Sequence, residues 1–139
     1  MTRKQLLLAR IVFVLYLIAV AWLCFGHFES TEDMPRDFCG IPLDKIVHFI
    51  MFFPYPVLVY FAFNRFTAKW WTSLLCTLAT FITGALIAAG TEIGQARLTT
   101  YRSGDPNDWK ADILAIGVSC VVVVILYLFK QRKKECANS

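Results

Sequence analysis

Four apolar stretches of roughly 20 residues each, the length of a membrane span, decide what this chain can fold into. They run from about Leu6 to Phe25, Lys45 to Phe63, Trp70 to Gln95 and Pro106 to Phe129. Apolar residues make up 58% of the chain and charged residues 17%, more apolar surface than a soluble domain of this length can bury. A lipid solvent offers no partner to a free N–H or C=O, so each run must close its own backbone bonds as a helix. The expected fold is all-α: a four-helix transmembrane bundle forming a single membrane domain over 1–139, multi-pass in a lipid bilayer.

Charge placement predicts the topology. The N-terminus, the loop near Arg65 and Lys69, and the C-terminus carry nine of the fourteen Lys and Arg residues and one acid, Glu135. Cytoplasmic loops carry such an excess, so both termini are expected in the cytoplasm, with the longer loops 26–44 and 93–107 outside. The net charge of +4 sits at the ends of apolar runs rather than on one face, which argues against a nucleic-acid partner. The first run is longer than a signal-peptide core and lacks a small-x-small cleavage site, so it is read as an uncleaved helix. His27 stands alone at the end of this run and reads as a boundary residue.

Within the second run, Pro54 and Pro56 each remove a backbone donor, which predicts a kink around Met51–Phe53. Trp70 and Trp71 are placed as interfacial anchors. Gly84, Ala85, Ala88 and Ala89 allow close helix contact, and Glu92 follows Ala85 and Ala88 by seven and four residues, on that same side. Asp105 followed by Pro106, with Asp108 two further on, marks a helix start. Asp108, Asp112, Ala115 and Ser119 then share a face. Of the five cysteines, Cys24, Cys76 and Cys120 read as small buried hydrophobes. A Cys24–Cys39 disulfide would require both to face the outside.

In a chain written for lipid, a dense polar cluster is where function is sought. There are two: Asp44, Lys45 and His48 at the start of the second run, and Glu92, Gln95, Arg102, Asp105, Asp108 and Asp112 between the third and fourth. The topology brings both to one end of the bundle. Asp44 and His48 are one helical turn apart, and a carboxylate beside an imidazole fixes the ring and favours its charged form. Arg102 is a partner for Glu92 or for any of the three aspartates. The structural alternative is that these residues cap helices and fix which helices meet. One histidine without a His-x-x-x-His or Glu-x-x-His spacing does not predict a metal, and no cofactor is expected. No serine lies in a Gly-x-Ser-x-Gly turn.

Asp44-Lys45-x-x-His48, Glu92-x-x-Gln95 and Arg102-x-x-Asp105-x-x-Asp108, in this order ahead of a small-residue helix, resemble the VanZ-like family of bacterial integral membrane proteins. Where the family pattern has an asparagine and then a glycine, this chain has Asp112 and Ala115. The aspartate keeps an acceptor there and adds a charge. The resemblance implies a place in the bacterial plasma (inner) membrane and a link to the cell envelope. The family's namesake lowers susceptibility to the glycopeptide teicoplanin; the family name supplies no reaction.

Three functions fit these residues. The leading one is an outward-facing polar site that binds a lipid headgroup or a lipid-linked cell-wall precursor, with Lys45 and Arg102 toward its anionic groups. The second is an integral membrane enzyme acting on such a lipid, with His48 as base, Asp44 orienting it and Glu92 as acid or second base. The third, a small proton-coupled exporter, calls for acids near the midplane, whereas these crowd one face. Homo-oligomerisation is left open.

Overall fold

The structure, a computed structural model, describes residues 1–26, 37–38, 40–65, 68–99 and 105–138. Helix α1 spans Arg3–Phe25, α2 Leu43–Phe52, α3 Pro54–Ala62, α4 Trp70–Leu98 and α5 Pro106–Asn138. Two-residue strands β1 (Asp37–Phe38) and β2 (Ile41–Pro42) pair antiparallel just before α2. This short ladder is absent from the sequence reading. Gly40 enables it by turning at φ 79°, a region open to glycine. Helices α2 and α3 together make one span, so four segments are long and apolar enough to cross a membrane: Arg3–Phe25, Leu43–Ala62, Trp70–Leu98 and Pro106–Ala137.

Local chemistry sets the helix ends. Thr2 and Gln5 form a reciprocal cap, with the Gln5 N–H donating to Thr2 Oγ1 at 3.3 Å and the Thr2 N–H to Gln5 Oε1 at 2.9 Å. This starts α1 three residues ahead of the apolar run. The second span breaks at Phe53, because Pro54 and Pro56 have no N–H to return to the preceding turn. The Tyr16 hydroxyl reaches across from α1 and donates to the Met51 carbonyl beside that break at 2.7 Å. Asn64, at φ 51°, ends α3 in the left-handed conformation that asparagine tolerates. Helix α5 continues nine residues past the apolar run to Asn138. Hydropathy marks where lipid ends, while Lys130, Gln131, Arg132, Lys133 and Lys134 are good helix formers and carry the helix onward.

The chain goes up and down four times, so both termini lie at the same end of the bundle. Helix α5 packs against α2, α3 and α4, and α1 lies mainly against α3. Val20, Cys24, Phe52, Ala88, Ala115 and Ile116 form the main core. Outward faces are apolar, as lipid requires: Leu8, Leu15 and Trp22 on α1, Leu75 and Leu86 on α4, and Val121 on α5 are all exposed. Trp70 and Trp71 stack with ring centroids 3.6 Å apart and are exposed.

Gly84 marks the tightest crossing. A Cβ there would meet Tyr55 Cε1 at 3.0 Å and Ile116 Cδ1 at 3.1 Å. Tyr55 is buried and its hydroxyl is hydrogen-bonded to Thr83 at 3.0 Å, so its ring cannot simply swing aside. Gly84→Val is expected to cost about 1–3 kcal/mol by overpacking. Gly90→Ala, with nothing within 4 Å of its new methyl, is expected to gain about 0.5–1 kcal/mol. Unfolding titrations of the detergent-solubilised protein check the opposite signs.

Candidate functional site

The two polar patches meet. The starts of α2 and α5 and the last turns of α4 reach the same end of the bundle, and their charged side chains interlock. Lys45, in the first turn of α2, carries three donors on one ammonium. It uses them on Asp44 Oδ2 at 3.1 Å, Asp105 Oδ2 at 2.9 Å and Asp108 Oδ1 at 2.6 Å. Two of these acids belong to the start of α5, so Lys45 ties α2 to α5. It faces carboxylates, rather than the anionic ligand groups that the sequence reading gave it.

One turn deeper, His48 is buried, with carboxylates on several sides. Its Nδ1 lies 3.1 Å from Asp112 Oδ1 and 3.8 Å from Glu92 Oε1, and its Nε2 lies 3.7 Å from Asp108 Oδ2. An ionised Asp112 can only accept, so Nδ1–H donates to it and the ring is oriented from α5. The sequence had assigned this task to Asp44. Asp44 is close enough along the helix, but its carboxylate turns outward to the Lys45 ammonium and backbone N–H and its side chain is 54% exposed.

Glu92 is 8% exposed. Its Oε2 accepts from the Asp105 backbone N–H at 3.0 Å, which docks the start of α5 onto α4. Its Oε1 faces His48 and is buried without a hydrogen-bond partner. Asp112, fully buried, has one oxygen on His48 and the other, Oδ2, equally without a partner. Gln95 is buried but stands apart from the charges: its Nε2 donates to the Cys24 carbonyl at 2.8 Å and binds α4 to α1. Asp105 also accepts from the Asn107 N–H at 2.9 Å. That backbone donor first, and the Lys45 ammonium next, hold the Asp105 carboxyl below the usual carboxylate range.

Arg102, His27 and Cys39 lie outside the described residues, and with them the pairing of Arg102 to the acids and the Cys24–Cys39 disulfide. Trp109 escaped the sequence reading. It lines a shallow groove of about 380 Å³ together with Ala89, Glu92, Ile93, Ala96, Asp105 and Pro106. Its ring N–H points at the Ala85 carbonyl, 3.4 Å away. The signal for it was present: Trp109 follows the Asp105-Pro106 start by one turn and so belongs to the turn that presents Asp108.

No family model matches the chain, and no curated protein or solved structure matches it.

The Lys45 ammonium organises the outer layer of this cluster, and its removal leaves Asp105 and Asp108 facing each other at the start of α5. Lys45→Met is expected to cost about 1–3 kcal/mol, the range for charge-assisted hydrogen bonds. Lys45→Arg should retain most of it. Thermal melts of the two variants in one detergent test this, and equal melting temperatures for Met and wild type would dismiss the role.

Proposed function

We propose that this is a small multi-pass protein of the bacterial cell envelope whose polar site binds the headgroup of a membrane lipid or of a lipid-linked cell-wall precursor. The observation that carries this reading is the groove beside Trp109. Its surface is almost wholly apolar, as an acyl chain requires, and the acidic residues Glu92 and Asp105 border it. A lipid laid along it would put its tail on Ala89, Ile93 and Ala96 and its headgroup at Glu92 and Asp105.

Charge narrows the headgroup. Among the described residues, five carboxylates (Asp44, Glu92, Asp105, Asp108 and Asp112) stand against one lysine and one histidine, and that lysine is already held by three of them. The surplus favours a ligand that brings a positive group, an ammonium on the headgroup or on an attached peptide, over one that brings phosphate alone. The positive-inside expectation puts this end outside the cytoplasm, where envelope precursors are used, and the VanZ-like resemblance agrees with that setting.

A second reading is favoured by the Asp112–His48 hydrogen bond: an enzyme acting on the same lipid. His48 would serve as general base, Asp112 rather than Asp44 would orient it, and Glu92 would be the second acid–base group. This reading requires a chemically altered lipid in membranes that contain the protein.

Native mass spectrometry with competing lipids tests the headgroup reading. An ammonium-bearing phosphatidylethanolamine should be retained over phosphatidylglycerol by about tenfold, the value of one charge-assisted hydrogen bond. Asp105→Asn should reduce that preference; a preference for phosphatidylglycerol would sink the reading. In a sensitive Gram-positive host, expression of the wild type is expected to raise the teicoplanin concentration tolerated. Glu92→Gln at the same membrane level should fail to do so. Equal protection by both would make the Glu92 charge irrelevant to that phenotype.

A further inference from the structure

Two groups of three oxygen or nitrogen donors can be drawn in the polar cluster. One comprises Asp44, Asp105 and Asp108; the other His48, Glu92 and Asp108. The first already has a cation at its centre, the Lys45 ammonium, within 3.1 Å of all three carboxylates. The second, one turn deeper, has no lysine or arginine at its centre among the described residues. We propose that His48, Glu92 and Asp108 form a binding site for a divalent metal ion, held in place by Asp112.

Three features of the inner group argue for this. First, one nitrogen of His48, one oxygen of Glu92 and one oxygen of Asp108 all lie within 4.8 Å of one another. Side-chain rotation can close such a set around one ion at about 2.1 Å per bond. Second, Glu92 Oε1 is buried, faces His48 and has no hydrogen-bond partner. A buried carboxylate oxygen without a partner is costly, and a metal bond is one of the few ways to satisfy it. Third, the charges do not balance among the described residues. Glu92, Asp108 and Asp112 surround a single imidazole. Even a protonated ring leaves two negative charges among them, and Lys45 shares Asp108 with two further acids.

Asp112 has the place of a positioning residue. Ligating histidines donate their second ring N–H to a carboxylate, which fixes the tautomer and turns the other nitrogen to the metal. Here Asp112 takes Nδ1 at 3.1 Å and Nε2 lies 3.7 Å from Asp108, while Glu92 Oε1 is nearest Nδ1 at 3.8 Å, so the Glu92 side chain must rotate toward Nε2 to join the ion. One imidazole with hard carboxylate oxygens suits Mn²⁺ or Zn²⁺ rather than a thiolate-seeking ion. Glu92 also borders the groove; an ion bound there would neutralise the inner acids and leave Asp105, outside the metal set, as the carboxylate that meets a positive headgroup. A metal bound through Nε2 and a His48 acting as free base exclude each other, so metal binding would remove His48 from the general-base role.

The test uses the full-length protein, purified in detergent and stripped with chelator, with Mn²⁺ or Zn²⁺ as the probe and no added lipid. Equilibrium dialysis should find one bound ion per chain, and the melting temperature should rise with it. His48→Ala, Glu92→Gln and Asp108→Asn should each weaken binding by at least about 10–100-fold, and Asp112→Asn by an amount within that range. Asp44→Asn should leave it unchanged. Should a ligand variant fail to fold, the wild type alone remains decisive: bound Mn²⁺ must show spin-echo coupling to a single imidazole nitrogen. Absence of that coupling, no saturable binding, or binding unaffected in both His48→Ala and Glu92→Gln overturns the proposal. Asp105→Asn separates the two claims, since it should alter lipid preference and not metal affinity.

Discussion

Hydrocarbon cannot satisfy a polar group, and the structure follows from that one fact. Polar side chains along the spans bond to their own helix, as Thr77, Thr80 and Thr91 do, or find a partner on another. The cross-helix contacts read as a list of such partners. Tyr16 on α1 reaches the Met51 carbonyl next to the proline break, and Tyr55 on α3 meets Thr83 on α4. Gln95 on α4 takes the Cys24 carbonyl of α1, and at the opposite end Arg10 donates to the Ala62 carbonyl and Tyr127 to that of Ala68. Lipid is as apolar as the helix faces, so the hydrophobic drive is absent and these bonds, with close packing, hold the helices together. They specify which helices are neighbours.

The requirement also explains why so much of the fold was legible in the sequence. A span must be apolar for its full length, so the four runs stand out, and prolines at 54 and 56 locate the break because only they lack the donor. The C-terminal extension of α5 was not legible, because hydropathy reports the lipid boundary and not the end of the helix. The site was half legible. Acids and a histidine in an apolar chain announce themselves, and an even number of crossings between the patches brings them to one end. Which acid meets His48 could not be read. Asp44 is its neighbour along α2, Asp112 lies 64 residues away, and only the rotation of α5 against α2 decides between them. Lys45 decides the rest by drawing Asp44 outward. The meeting of His48, Glu92 and Asp108 was not legible for the same reason: spacing motifs detect groups on one helix, and these three lie on α2, α4 and α5.

The positions of the acids relative to the helix ends carry the last step. A helix N-terminus favours negative charge and a C-terminus disfavours it. Asp44 lies in the first turn of α2, and Asp105 and Asp108 lie at the start of α5. All three are thus in favourable fields and within reach of the Lys45 ammonium. Glu92 and Asp112 are not. Glu92 lies near the C-terminal end of α4, and Asp112 is well inside α5, beyond the reach of its N-terminal field. These same two residues hold the unpartnered carboxylate oxygens beside His48. A purely structural cluster would place its acids where helix ends and the lysine stabilise them, and the outer three obey that rule. The inner two break it in the same small volume: each has one oxygen held, by the Asp105 N–H or by His48, and one buried without a partner, and local rules broken together mark a functional site.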